Sequence, residues 1–454
     1  MEYLDRELSR LVSKALWQYV LAIVEPLYLL GIIVAFWHHS PPIRDEWVWL
    51  LWGALPIFWL RLRVHGRLWT RTPLNDLFLL FILLTAFNFG NAPYRRQDYL
   101  VVLVRPLMGM WLYVYFVEHA RNLRRMHLLL IGSIGMSFVL GFLALTTTQW
   151  PENKAQMLLV ITEALPRINY HQFLPDMLLS FNPNEIAGAL AWVCPFLFGI
   201  FVSHFTTDAN SKTVETEHDS LWLGIRIAAS ITFGLVFLAL FLSQSRFAIA
   251  GVILALAIII YLHIPQRRWR YGLFFALGMM TLLQASFVLN LFPSPANDTG
   301  LSTRDQRSLS TRLQIWERGW RMMWDFPATG VGMAMYRAAV RADNYVIPHY
   351  ERTGQIPPHA HNEWLQIGAD LGVGGLLLFL AWQGVAAYML WHGWNSHDTH
   401  LSISALSIAT GLMAHGFYAI GDAITLWDRY AFIFWWMLGL VGAQYIISQC
   451  KAVR

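Results

Sequence analysis

The sequence predicts an all-α polytopic membrane protein of about twelve transmembrane helices. Of its 454 residues, 56% are hydrophobic and 13% charged, a balance too apolar for a soluble globule of this length. Stretches such as 77–87, 128–145 and 376–390 carry no charged side chain, and with their flanks they approach the roughly 20 residues that cross a bilayer. Lys and Arg gather in short clusters between such runs, as the positive-inside bias requires.

Spans are expected near residues 16–37, 47–60, 74–90, 99–117, 127–147, 184–205, 220–242, 245–263, 271–291, 363–391, 401–421 and 425–448. The basic clusters are Arg6, Arg10 and Lys14; Arg61, Arg63, Arg67 and Arg71; Arg121, Arg124 and Arg125; Arg267, Arg268 and Arg270; and Lys451 with Arg454. All fall on one side of the predicted spans, which becomes the cytoplasm and gives an N-in, C-in topology. The expected division is N-terminal helices 1–73, a core of seven spans over 74–291, a large outer loop over 292–362 and three C-terminal helices over 363–454.

No small-residue cleavage site follows the first apolar run, so that run is expected to stay as a span. Cys194 and Cys450 are the two cysteines, too few for a disulfide framework or a cysteine metal site. The formal charge of +5 is explained by the cytoplasmic loops rather than by a nucleic-acid partner. Glu25-Pro26 and Arg105-Pro106 put charges inside spans one and four. They are read as a mutual structural pair or, failing that, as a polar path of the kind transporters use.

Two connections, 148–183 and 292–362, are long and fall outside under this topology. The second far exceeds an ordinary connector, and such loops tend to be functional or disordered. Within 311–336, Leu313, Trp316, Trp320, Met323 and Trp324 stand near helical spacing, which predicts an amphipathic helix on the membrane surface or over a cavity. Residues 206–220 are polar and acidic and read as a solvated cytoplasmic loop.

Three clusters at the outer face could carry chemistry. Pro357-Pro358-His359-Ala360-His361-Asn362 ends the long loop with helix-start signals. His361 would lie beside the positive end of a helix dipole, which favours a neutral ring able to accept a proton. The plain alternative is an interfacial capping histidine. Ser243-Gln244-Ser245-Arg246 makes a tight turn that brings Arg246 to the top of a span, where it is either functional or snorkelling to lipid phosphate. The outer loop holds Arg304, Arg307, Arg312, Arg318, Arg321, Arg337, Arg341 and Arg352, forks suited to phosphate oxygens of a lipid-linked substrate or of headgroups. No Asp-x-Asp pair occurs, so a divalent metal held by outer carboxylates is not expected. Nucleotide-binding glycine motifs are also missing.

His361-Asn362, nine residues, then Gly372-Val373-Gly374-Gly375 resembles the His-Asn-x9-Gly-x-x-Gly pattern of the O-antigen ligase and polymerase superfamily. Phe181-Asn182-Pro183-Asn184, Ser243-Gln244-Ser245-Arg246, Thr311-Arg312-Leu313-Gln314-Ile315-Trp316 and Asp325-Phe326-Pro327-Ala328-Thr329-Gly330-Val331-Gly332 follow the family's order over roughly 75–448. The resemblance implies a membrane-embedded glycosyltransferase of the bacterial inner membrane, without cofactor or metal. It would move a glycan from an undecaprenyl-diphosphate carrier to an acceptor hydroxyl at the periplasmic face. By the same resemblance His361 is the general base and Arg246 and Arg312 clamp the diphosphate. Asn184, Asn362, His359 and Arg318 are expected as positioning groups, with His359 a second candidate base.

The acceptor stays open among lipid A-core, a growing glycan and protein hydroxyls, with a ligase layout preferred because one large loop precedes the histidine motif. A transporter or flippase and an envelope scaffold are the readings outside enzymology.

Overall fold

The computed structural model describes residues 2–37, 48–94, 99–120, 123–150, 156–169, 172, 181–203, 217–264, 267–288, 301–341, 345–347, 356–424 and 426–452. Expectations resting on residues 206–216, on Arg121, Arg352 and Arg454, and on the side chains of Arg6, Arg10, Lys14, Arg304, Arg307 and Lys451 lie outside the described part. The described chain is helical throughout. Its β structure is a single bridge, between Thr148 and Phe181.

The helices, in order, are α1 (Glu2–Trp37), α2 (Val48–His65), α3 (Pro73–Asn91), α4 (Tyr99–His119), α5 (Leu123–Thr147), α6 (Gln156–Ala164), α7 (Pro183–Val202), α8 (Glu217–Ser243), α9 (Arg246–His263), α10 (Arg267–Val288), α11 (Leu301–Asp325), α12 (Tyr336–Arg341), α13 (Glu363–Trp394), α14 (Thr399–Gly421) and α15 (Ala431–Ala452). Among the described residues, eight helices are long and apolar enough to cross a membrane: α1 from Ala15, α3, α5, α7, α8 from Ser220, α13, α14 and α15 to Cys450. The other four expected spans fall on α2, α4, α9 and α10. They are helical where expected, but α9 offers a shorter apolar run, Arg246–Leu262. Arg61 and Arg63 charge α2, Arg105 and Glu118 charge α4, and Arg267, Arg268 and Arg270 open α10. Among the described residues, length and apolarity alone therefore carry eight of the about twelve expected spans.

Helix α7 forms the centre, with 89% of its span buried, followed by α15 at 83%. Around them, α1, α3 and α5 turn Leu27, Leu30, Leu79, Leu83, Leu128 and Val139 outward. Exposed leucines at that density are expected where the surroundings are lipid. Small residues let backbones touch: an added Cβ at Gly411 of α14 would strike the Trp192 carbonyl of α7, and one at Gly251 of α9 the Ala414 carbonyl. Close approach of this kind replaces the hydrophobic drive that helices lack inside a bilayer.

The expected Glu25–Arg105 pair does not form. Glu25 instead takes Arg61, whose Nε donates to Oε1 at 2.8 Å with both side chains buried. Arg105 donates to two main-chain carbonyls, of Trp427 at 2.6 Å and Phe36 at 3.4 Å. A charge at membrane depth needs the partner that geometry brings nearest, and α2 lies closer to Glu25 than the arginine of α4 does.

Helix α11 falls on the expected amphipathic stretch but starts before it and stops short of its end. It ends at Asp325, and its buried stripe is Ile315, Met322 and Met323, while Leu313, Trp320 and Trp324 face outward. The chain then turns at Gly330 (φ 60°) and docks on a break in α13 at Gly372 (φ 73°, ψ −171°). Breaking a helix frees carbonyls that must find donors. Val331 N donates to Ala369 O at 2.7 Å, Gly332 N to Asp370 O at 3.1 Å, and Val373 N returns to Pro327 O at 2.9 Å. Asn88 of α3 completes the joint, giving its amide to the carbonyls of Thr329 and Asp370 and accepting Met333 N at 3.1 Å.

A side chain at Gly372 would meet the Pro327 carbonyl, and one at Gly330 the Ala369 carbonyl. Gly372→Ala and Gly330→Ala are each expected to cost at least about 1–3 kcal/mol from left-handed strain alone. Gly384→Ala, in the same helix with open space around it, should be neutral or stabilising by about 0.5–1 kcal/mol. Thermal unfolding in detergent checks the contrast.

Candidate active site

The docked loop leads to the segment that carries His361. Asn362 caps α13, its side chain accepting Leu365 N at 3.0 Å. Its amide donates to Ile420 O at 3.0 Å and so ties the start of α13 to the end of α14. His361, one residue before the cap, is held at φ 47°. Histidine tolerates this region better than most residues, yet strain of this sort tends to sit at functional positions. Trp316 of α11 donates its indole N–H to the His361 carbonyl at 3.1 Å, and Ala360 N donates to Gln366 Oε1 at 2.7 Å. Main-chain restraints from three helices fix the ring.

The ring's Nδ1 lies 2.9 Å from Asp422 Oδ1. Burial would push the Asp422 carboxyl up, but the hydrogen bond from His361 and the neighbouring His359 and Arg312 outweigh it, and the acid is held below its ordinary value. An ionised carboxylate only accepts, so Nδ1 carries the proton, and whenever the ring is neutral Nε2 is the nitrogen that presents a lone pair. His361 keeps partial exposure, 24% of its side chain.

His359 packs edge-on to His361 with ring centroids 4.4 Å apart, and its Nδ1 accepts His361 N–H at 3.2 Å. Burial pushes its pKa down to about 4, against the pull of Asp422. It is neutral at neutral pH, so its 3.8 Å approach to Asp422 is no ion pair.

Arg312 is close enough to act electrostatically on both His359 and Asp422. Its guanidinium lies 5.9 Å from the centre of the Phe247 ring, and Phe247 follows Arg246, the exposed first residue of α9. Both predicted arginines thus stand at the His361 end of the bundle. Arg318 is turned elsewhere, donating to Val346 O at 3.3 Å and pairing with Glu317. Asn184 lies in the first turn of α7, where Asn182 is the cap that accepts its N–H at 2.9 Å.

Sequence reading missed Asp422, Glu185, Asp428 and Arg429. Arg429 approaches Glu185 at 3.4 Å and lies over the rings of Phe181 and Tyr430. Asp428 acts on His359 from the same side. A signal was present: Asp422 ends α14, and an acid at a helix C-terminus works against the dipole, so something else must hold it there. Beneath them, His415 joins three helices, with Nδ1 at 3.0 Å from Gly188 O, Nε2 at 2.9 Å from Glu363 and its ring stacked on Trp192.

A family model described as O-antigen ligase matches residues 231–380. The family resemblance holds. The ligase-like segment contains Arg246, Arg312, Arg318, His359, His361 and Asn362, and leaves Asn184 and Asp422 outside it. A protein of Rickettsia prowazekii provisionally named polysaccharide ligase is 25% identical over 261 residues, which cover 54% of this chain and 59% of that protein. A Rickettsia typhi protein with the same provisional name is 27% identical over 225 residues, or 47% and 50% of the two chains. A third, from Rickettsia conorii, is 31% identical over 138 residues, 30% and 31% of the two chains. The chain therefore spans from 31% to 59% of the length of these curated relatives.

His359, His361 and Asp422 also offer ligand atoms within 4.8 Å of one another, and two imidazoles with a carboxylate form a set that zinc accepts. Of the ring nitrogens, His359 Nδ1 accepts a backbone N–H and His361 Nδ1 is bonded to the acid.

His359 titrates lower in the fold than the roughly 6.5 of a free histidine, so the unfolded chain binds the extra proton first. Its contribution to stability is complete above about pH 6.5 and is lost as pH falls toward 4. The Asp422 contribution is lost only below the ordinary aspartate range. Unfolding measured in detergent should weaken on acidification from pH 6.5 to 4.5, and His359→Gln should flatten that slope.

Proposed function

We propose that this chain is a membrane glycosyltransferase of the O-antigen ligase type, with His361 as general base. The observation that carries the reading is the His361–Asp422 hydrogen bond beside Arg312. Asp422 fixes the ring so that Nε2 takes the proton of the acceptor hydroxyl as its oxygen bonds to the anomeric carbon. The bond from that carbon to the carrier's phosphate oxygen breaks, and undecaprenyl diphosphate leaves with the electron pair. Arg246 and Arg312 neutralise the charge that develops on it, work that arginines do without a metal. Attack opposite the leaving group inverts the anomeric centre.

The donor is a lipid-linked glycan and the acceptor lipid A-core, at the periplasmic face of the inner membrane. The relatives' ligase names and the single large loop before His361 favour this acceptor. Extension of a lipid-linked glycan, or transfer to protein, would use the same groups and differ only in what the loop admits.

Transfer from an undecaprenyl-diphosphate glycan in detergent tests this. His361→Ala should lose about 10²–10⁴-fold in rate, the usual worth of general base catalysis. Asp422→Asn should lose a large part of the same factor, with His361 retained but its tautomer no longer enforced. Arg312→Lys should fall well short of wild type, since a point charge replaces a fork. Activity should survive EDTA; its loss there, or full activity in His361→Ala, would overturn the assignment.

A further inference from the structure

At the other end of the bundle, α2, α3 and α4 part to leave a cavity of about 670 Å³. Its walls are apolar, Ala54 and Phe58 from α2, Leu79 and Ile82 from α3, Met110 and Trp111 from α4. Leu79 and Ile82 are exposed as well, so the cavity opens sideways where the helices meet lipid. Its mouth is polar: Trp69, Arg71, Asn75 and Asp76. Helix α3 sets the distance to the site above, because the mouth lies at its first turn and Asn88, which joins the Gly372 break, lies fifteen residues later. At about 1.5 Å per residue that is roughly 22 Å.

We infer that this cavity binds a phospholipid of the membrane leaflet opposite the His361 site, one whose headgroup carries both a phosphate and a primary ammonium. The volume falls in the range of about 300–1,000 Å³ typical of ligand sites. Water gains nothing from such walls, whereas an acyl chain matches them. The mouth decides the headgroup. Arg71 and Asp76 stand 3.6 Å apart with side chains 84% and 73% exposed, a pair worth little to the fold and open to outside partners. The guanidinium takes the phosphate and the carboxylate takes the ammonium. A purely anionic headgroup would meet Asp76 as a repulsion, and one with a quaternary amine would offer it no hydrogen bond. Trp69 sits at the rim against Phe58, ring centroids 6.3 Å apart, in the interfacial position aromatic rings favour. The carrier lipid of the proposed reaction is not the occupant, because the arginines assigned to its diphosphate stand at the far end of the bundle.

Native mass spectrometry of the whole delipidated protein tests this, with phosphatidylethanolamine, phosphatidylglycerol and phosphatidylcholine of identical chains added in turn. Phosphatidylethanolamine should bind at least tenfold more tightly than the other two. Ala54→Trp and Leu107→Trp fill the cavity from different helices, and whichever elutes as a monodisperse protein should lose that affinity tenfold or more. Asp76→Asn should keep the acyl site but bring phosphatidylethanolamine and phosphatidylglycerol within twofold of each other. Equal binding of all three lipids by the wild type would overturn the headgroup assignment. Unchanged binding in a folded, cavity-filled variant, or displacement of the lipid by undecaprenyl diphosphate, would overturn the site.

Discussion

A break in one helix organises this protein. Where α13 turns at Gly372, the carbonyls of Ala369 and Asp370 lose their helical donors in a setting where water cannot replace them. The loop after α11 supplies its own N–H groups instead, and Asn88 of α3 binds both partners. Asp370 is buried behind the joint and accepts Tyr336 N at 3.0 Å and the Gln366 amide at 2.6 Å. Gln366 in turn holds Ala360 N. A continuous set of hydrogen bonds thus runs from the helix break to the residue before His361.

The His361 end of the bundle inherits its precision from that set. His361 stands in a backbone conformation it would not choose alone, and the indole of Trp316, the cap at Asn362 and the Ile420 carbonyl hold it there. Its acid partner arrives on a different helix. Asp422 is in turn bound by the Ala423 N–H at 3.0 Å, so the carboxylate is oriented before any substrate is near. Preorganised charge of this kind is what the role proposed for His361 requires.

Much of this was legible in the sequence, for a physical reason. Apolar runs, basic clusters and Pro-His-Ala-His-Asn before a helix are local patterns, and local patterns survive the absence of coordinates. Every expected span falls on a helix, and Asn362 caps α13 as its residue type suggested. The glycines at 330 and 372 were visible as motif letters, but not that they meet. Pairings across distant segments were opaque: Glu25 with Arg61 rather than Arg105, and His361 with Asp422, sixty-one residues on. That α11 would be amphipathic was legible, but which residues pack inward, Ile315 and Met322, was not. Periodicity says that a stripe exists, and packing decides which residues fill it.

The burial of α7 bears on how the chain is assembled in time. Its span is enclosed by α8, α9, α14 and α15, three of which are long apolar stretches made after it. When α7 is first made, the Gly188 carbonyl has no His415, Glu185 has no Arg429, and Trp192 has no Gly411 of α14 against its carbonyl. Membrane helices can insert singly and associate later. Here the central helix gains α14 and α15 as packing partners only once the last third of the polypeptide is made. His361 gains Asp422 at the same stage, so completion of α14 and formation of the His361–Asp422 hydrogen bond go together.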